Sequence, residues 1–84
     1  MVEIRNFSQV FRTKIDERIY SFDIIAVIST NLYSSLVGSC VVNTKTGNFS
    51  IGISPGCNLS VDEVREIGRE TLEVAKRIEE VIYP

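Results

Sequence analysis

Histidine and tryptophan are absent from these 84 residues, and methionine and glutamine occur once each. Without histidine the chain lacks the side chain that most often moves protons near neutral pH and most often ligates a metal. Cysteine is scarce as well. With no basic region and apolar core of a signal peptide at the N-terminus, Cys40 and Cys57 are expected as reduced thiols of a cytoplasmic protein. Long hydrophobic runs are missing: the longest, Ile24–Ile28, is five residues, whereas a bilayer span needs about 20. No membrane partner is expected. A net charge of −2 gives no strong field to draw in nucleic acid or anionic lipid.

What remains is a chain with 44% hydrophobic residues and nearly balanced charge, too apolar to be disordered. Its length allows one domain, residues 1–84, with no second core. The lack of histidine and tryptophan, the single glutamine and a Glu-, Lys-, Arg- and Ile-rich helix follow the compositional trend of thermophile proteins. Five asparagines run against it.

The clearest segment is a helix from Ser60 to about Ile82. Ser60 with Glu63 three residues on is a capping box, and Leu59 with Val64 can form the accompanying hydrophobic staple. At 100° per residue, Val61, Val64, Ile67, Gly68, Thr71, Leu72, Ala75, Ile78 and Ile82 share one arc of about 140°. Such a helix lays one face on a sheet. Gly68 costs about 1 kcal/mol in a helix interior, so a close approach to the sheet is expected there. Glu79 falls inside the apolar arc. Either the helix end overhangs the sheet, or Glu79 has a partner.

Before the helix, Val41 to Phe49 reads as a hairpin with the loop Thr44–Gly47. Asn43 can cap the turn and Gly47 supplies its left-handed residue. That register sets Val42 opposite Phe49 and Cys40 opposite Ile51. Phe49, Ile51 and Ile53 alternate with Ser50, Gly52 and Ser54, as a half-buried strand does. Arg18–Ser29 reads as a strand with Tyr20, Phe22, Ile24, Ala26 and Ile28 on one face and Ile25 and Val27 on the other. Leu36–Asn43 is also apolar on both sides, with Val37 and Val41 assigned to one face and Leu36, Cys40 and Val42 to the other. Residues 3–15 fit either period. Phe7, Phe11 and Ile15 share a face of a strand, and Ile4, Phe7, Val10, Phe11 and Ile15 a helical stripe; β-branched and aromatic content favours a strand and hairpin. The expected fold is α+β: an antiparallel β-meander of three to four strands with one long C-terminal amphipathic helix packed on one face.

No catalytic, cofactor-binding or metal-ligating set emerges. Cys57 stands three residues before the helix cap, but there is no histidine to act as its base. The helical glutamates interleave with Arg65, Arg69, Lys76 and Arg77 at spacings of three and four, as on a solvated face. Arg12, Lys14 and Arg18 gather near the first turn and could contact phosphates, yet Ser60–Pro84 carries seven acids against four bases. Nucleic acid is therefore the less favoured partner.

The stretch from Gly47-Asn48-Phe49 to Ser54-Pro55-Gly56-Cys57, followed by an acidic amphipathic helix, resembles HicB-type antitoxin domains. These place Pro-Gly-Cys after a hairpin strand and before a helix, and the resemblance implies a dimeric, toxin-neutralising regulator. It spans residues 47–78. The spacing from Pro-Gly-Cys to the cap is shorter here, and a strand between them is missing.

The residues themselves favour a small non-catalytic protein-interaction module acting as a homodimer, with an antitoxin-like or nucleic-acid-binding regulator as the alternative. One helix covers one face of a sheet, so Ile25, Val27, Val37 and Val41 are expected to meet a second copy. A helix of about 23 residues is roughly 35 Å long, against some 26 Å for an eight-residue strand. Its end would carry Val81, Ile82 and Tyr83 toward the same partner.

Overall fold

The computed structural model describes residues 5–28 and 33–84. In chain order it comprises β1 (Arg5–Asp16), β2 (Ile19–Ile28), β3 (Tyr33–Asn43), β4 (Phe49–Ile53) and α1 (Val61–Val81). The strands lie in the order β1-β2-β3-β4, each antiparallel to the next. With α1 on one side of the sheet, this is the expected α+β meander.

Residues 5–16 resolve the ambiguity of the first segment in favour of a strand. Phe7 and Phe11 pair with Ala26 and Phe22 on the helix side. Ile15 departs from its expected place beside them and is 56% exposed. The cause is a pair of register shifts, one between Phe11 and Thr13 and one between Lys14 and Asp16. Each bulge consumes a residue and reverses the alternation beyond it, so Lys14 takes the inner position opposite Tyr20. Arg18 also moves from its assigned place in a strand. The link between Asp16 and Ile19 has only Glu17 and Arg18 to turn the chain, and Arg18 takes up φ +70 to close it.

β2 alternates as the sequence predicts, with Tyr20, Phe22, Ile24 and Ala26 buried. On β3 the assignment of faces needs one correction. The register passes from Ile24–Gly38 to Ile25–Leu36, which leaves Val37 as the extra residue of a bulge. Val37 is consequently turned into the core at 3% exposure, while Leu36 points the other way at 54%. The β3–β4 hairpin has the expected register, Val42 opposite Phe49 and Cys40 opposite Ile51. The Asn43 side-chain oxygen accepts from the Lys45 and Thr46 amides, and Gly47 adopts φ +78.

The capping box of α1 is formed in both directions, Ser60 Oγ accepting from the Glu63 amide at 3.1 Å and Glu63 Oε1 from the Ser60 amide at 3.0 Å. The helix buries Ile67, Gly68, Thr71 and Ala75 against Tyr20, Phe22, Ile24, Cys40 and Val42. Each fully buried large apolar side chain contributes roughly 1.5–3 kcal/mol. The Thr71 hydroxyl is satisfied by donating to the Ile67 carbonyl at 2.6 Å. Gly68 makes the expected close approach: a Cβ there would stand 2.2 Å from the Phe49 ring. The two ends of the apolar stripe, Val61 and Ile82, are exposed.

Candidate functional site

The outer face of the sheet follows from the strand register. Side chains that alternate away from α1 include Val10 on β1, Ile19, Ile25 and Val27 on β2, and Leu36 and Val41 on β3. Val10, Ile25, Val27 and Leu36 gather toward one end, with Val10 and Leu36 well exposed. Ile19 and Val41 stand toward the other end, and Ser21, Asp23 and Ser39 lie between. In the middle of the face Arg12, freed from the pairing by its bulge, reaches Asp23 at 3.4 Å. α1 covers only the opposite face. Of the residues expected at a dimer contact, Ile25, Val27 and Val41 therefore share this surface, and Val37 does not. Leu36 is the residue that sequence alternation missed.

A second organised site lies where the end of α1 meets the β1–β2 turn. Glu79 turns inward there. Its Oε2 accepts from Arg18 Nε at 2.8 Å, from the Tyr20 hydroxyl at 3.0 Å and from the Thr44 hydroxyl. Arg18 Nε also lies 3.0 Å from Thr44 Oγ1, and the Thr44 amide donates to the Arg18 carbonyl at 2.9 Å. Burial pushes the Glu79 carboxyl up, but the hydrogen bonds from Thr44 and Tyr20 and the Arg18 charge outweigh it. The net result lies below the ordinary range. Tyr20 is pushed up to about 12, first by burial and then by the adjacent carboxylate.

This cluster settles the anomaly of Glu79, which has partners rather than an overhang. Tyr83 folds back beside it, its ring centroid 6.0 Å from that of Tyr20 and 4.6 Å from Lys14 Nζ. Val81, Ile82 and Tyr83, the residues expected at a contact of the helix end, are all exposed, at 78%, 59% and 38%. The Arg18 Nε, the Tyr20 hydroxyl and the Thr44 hydroxyl all converge on one oxygen of Glu79. Together they anchor the helix end.

The basic residues near the first turn are drawn into the fold in the same way. Arg12 is paired with Asp23, Arg18 with Glu79, and Lys14 lies over the Tyr83 ring. Both cysteines are free thiols, Cys40 buried and Cys57 half-buried. Among the described residues no group of Cys, Asp or Glu side chains comes together as a metal site, and no helix is long and apolar enough to cross a membrane. Compared with protein-family models, with curated proteins and with solved structures, the chain matches none.

Proposed function

We propose that this protein is a non-catalytic interaction module that works as a homodimer, two copies meeting through their outer sheet faces. The observation that supports this reading most is the set Val10, Ile25, Val27, Leu36 and Val41 on a face that α1 leaves in water. Apolar clusters rimmed by polar residues, as Val10, Ile25, Val27 and Leu36 are by Ser21, Asp23 and Ser39, mark interaction surfaces when large. A second copy suits the face because its central charges cancel: Arg12 and Asp23 already pair, so an identical surface meets it without net repulsion.

The dimensions agree. β1, β2 and β3 are 12, 10 and 11 residues long. At about 3.3 Å per residue and about 4.8 Å between strands, the face covers on the order of 500 Å². Two such faces bury on the order of 1,000 Å², the lower bound for a specific protein interface. Sedimentation of the chain at micromolar concentration tests the proposal. A dimer is expected, converted to monomer by Val41→Lys and by Leu36→Lys; a well-folded wild-type monomer overturns it.

A further inference from the structure

The two free edges of the sheet are built differently. β1 carries two bulges, and Arg12, Lys14 and Asp16 surround them; bulges and charges are the usual means of keeping an edge from pairing. β4 is Phe49-Ser50-Ile51-Gly52-Ile53, with no charge, no proline and no bulge in its pairing. The Ser54 amide donates to the Val37 carbonyl at 2.7 Å, and the Asn43 amide to the Asn48 carbonyl at 2.9 Å. Antiparallel alternation between those points directs the backbone groups of Ser50 and Gly52 to β3. The amides and carbonyls of Phe49, Ile51 and Ile53 therefore face outward. The following loop turns toward β3, where Cys57 Sγ lies 3.9 Å from the Leu36 carbonyl.

Charge indicates what this edge takes. Val61, Arg65, Gly68, Leu72 and Lys76 recur at spacings of three and four and form one flank of α1. Gly68 stands over Phe49, and Leu72 lies beside Gly47, so this flank runs along β4. Alongside β4 its charge is Arg65; Lys76, further on, pairs with Glu73 at 3.8 Å. Glu63, Glu66 and Glu70 lie on the other flank, beside Asn6 and Phe7 of β1. A second copy paired β4 to β4 about a two-fold axis would set Arg65 against its own image, and the β1 edge is protected. The edge fits a different chain.

We propose that β4 binds an extended segment of a partner protein as a fifth strand. Apolar side chains at alternate positions of that segment would pack beside Phe49, Ile53 and Val61, all of them exposed, and a carboxylate would face Arg65. This is independent of how the outer sheet faces associate.

The probe is a fluorescein-labelled, amidated octapeptide in which serine alternates with valine and, at one central position of the valine face, glutamate, so that valines and carboxylate share the helix side; it is titrated into the full chain by NMR and fluorescence anisotropy. Saturable binding is expected, with the largest amide shifts at Phe49, Ile51 and Ile53. Ile53→Pro removes one outward donor without touching a bond to β3 and should weaken binding about fivefold. Arg65→Glu should weaken it about threefold or more, and replacing glutamate by lysine in the peptide should do the same. A peptide N-methylated at alternate residues tests the backbone bonds without altering the protein and should not bind. Four results would overturn the proposal. These are no saturation at millimolar peptide, equal binding of the N-methylated peptide, indifference to both charge reversals, or β4 amides that shift with protein concentration alone, the signature of a second copy.

Discussion

Arg18 and Glu79 are 61 residues apart in the chain and 2.8 Å apart in the fold. Arg18 closes the first hairpin in the left-handed conformation, and Glu79 belongs to the last turn of α1. Their contact, with Tyr20 and Thr44 on the same carboxylate oxygen, ties the end of the helix to the turn where the sheet begins. Elsewhere α1 is held mainly by apolar packing, which lacks direction, with Gln9 Nε2 donating to Glu70 Oε2 at 3.2 Å on the exposed side. Glu79 gives this end a fixed position.

Glu79→Gln keeps the shape but removes the charge that Arg18, Tyr20 and Thr44 converge on. Hydrogen bonds to a charged group contribute about 1.5–3 kcal/mol, so a loss of about 2 kcal/mol is expected in urea denaturation at pH 7. Tyr20→Phe, which removes one donor, should cost about 1 kcal/mol. A midpoint unchanged in Glu79→Gln would show that the cluster contributes nothing to stability.

Acid should act through the same group. Glu79 titrates below the ordinary carboxylate range in the folded chain. Its contribution is therefore present above the unfolded value of about 4.3 and disappears as pH falls through the lower folded value. Between pH 7 and pH 3 the wild type should lose more stability than Glu79→Gln. Alkali acts on Tyr20 with the opposite sense. Its folded value of about 12 lies above the unfolded value of about 10, so that contribution is complete below pH 10 and is lost as pH rises toward 12. Phenolate absorbance should show a late component that Tyr20→Phe abolishes.

What could be read from the residues alone was what neighbours in sequence decide. Ser60 and Glu63 are three residues apart, and their capping box is formed; Asn43 and Gly47 turn the β3–β4 hairpin, and its register followed. Val37 and Ile15 were misplaced because a bulge is set by the partner strand, and one extra residue reverses every side chain beyond it. Glu79 could be recognised as anomalous from its position in the apolar arc. Its partners could not, since Thr44 and Arg18 lie 35 and 61 residues away and only the folded meander brings them together.

The helix start gives a local test. Ser60→Ala removes the acceptor for the Glu63 amide and should cost about 1 kcal/mol. Val61, the first helical residue, is exposed, so no buried packing of its own masks the loss. No change in the denaturation midpoint would place the helix boundary elsewhere.

The two thiols should separate by accessibility. Cys40 is fully buried beneath α1, and burial pushes its thiol up, which disfavours the reactive thiolate. Cys57 is half-buried in the loop before the helix. A maleimide or disulfide reagent at neutral pH should label Cys57 in the native protein and Cys40 only after unfolding. Equal native rates would contradict the β3 register.

Gly38 and Gly68 are both close approaches, but they differ in what would have to yield. A Cβ on Gly38 would lie 2.0 Å from the Gly52 carbonyl oxygen, which belongs to a paired backbone. Gly38→Ala must therefore distort the β3–β4 ladder, and about 3 kcal/mol of destabilisation is expected, the upper end of overpacking costs. The atoms nearest to a Cβ on Gly68 all belong to the Phe49 ring, whose position on an edge strand at 38% exposure leaves it room to swing outward. Gly68→Ala also gains about 1 kcal/mol of helix propensity, so its net cost should be about 1 kcal/mol or less. The pair Gly68 and Phe49 then gives a decisive cycle. In a Phe49→Ala background the obstruction is gone and only the propensity gain remains, so adding Gly68→Ala should stabilise the protein by about 1 kcal/mol. If Gly68→Ala destabilises equally in both backgrounds, the ring of Phe49 is not what requires glycine at position 68.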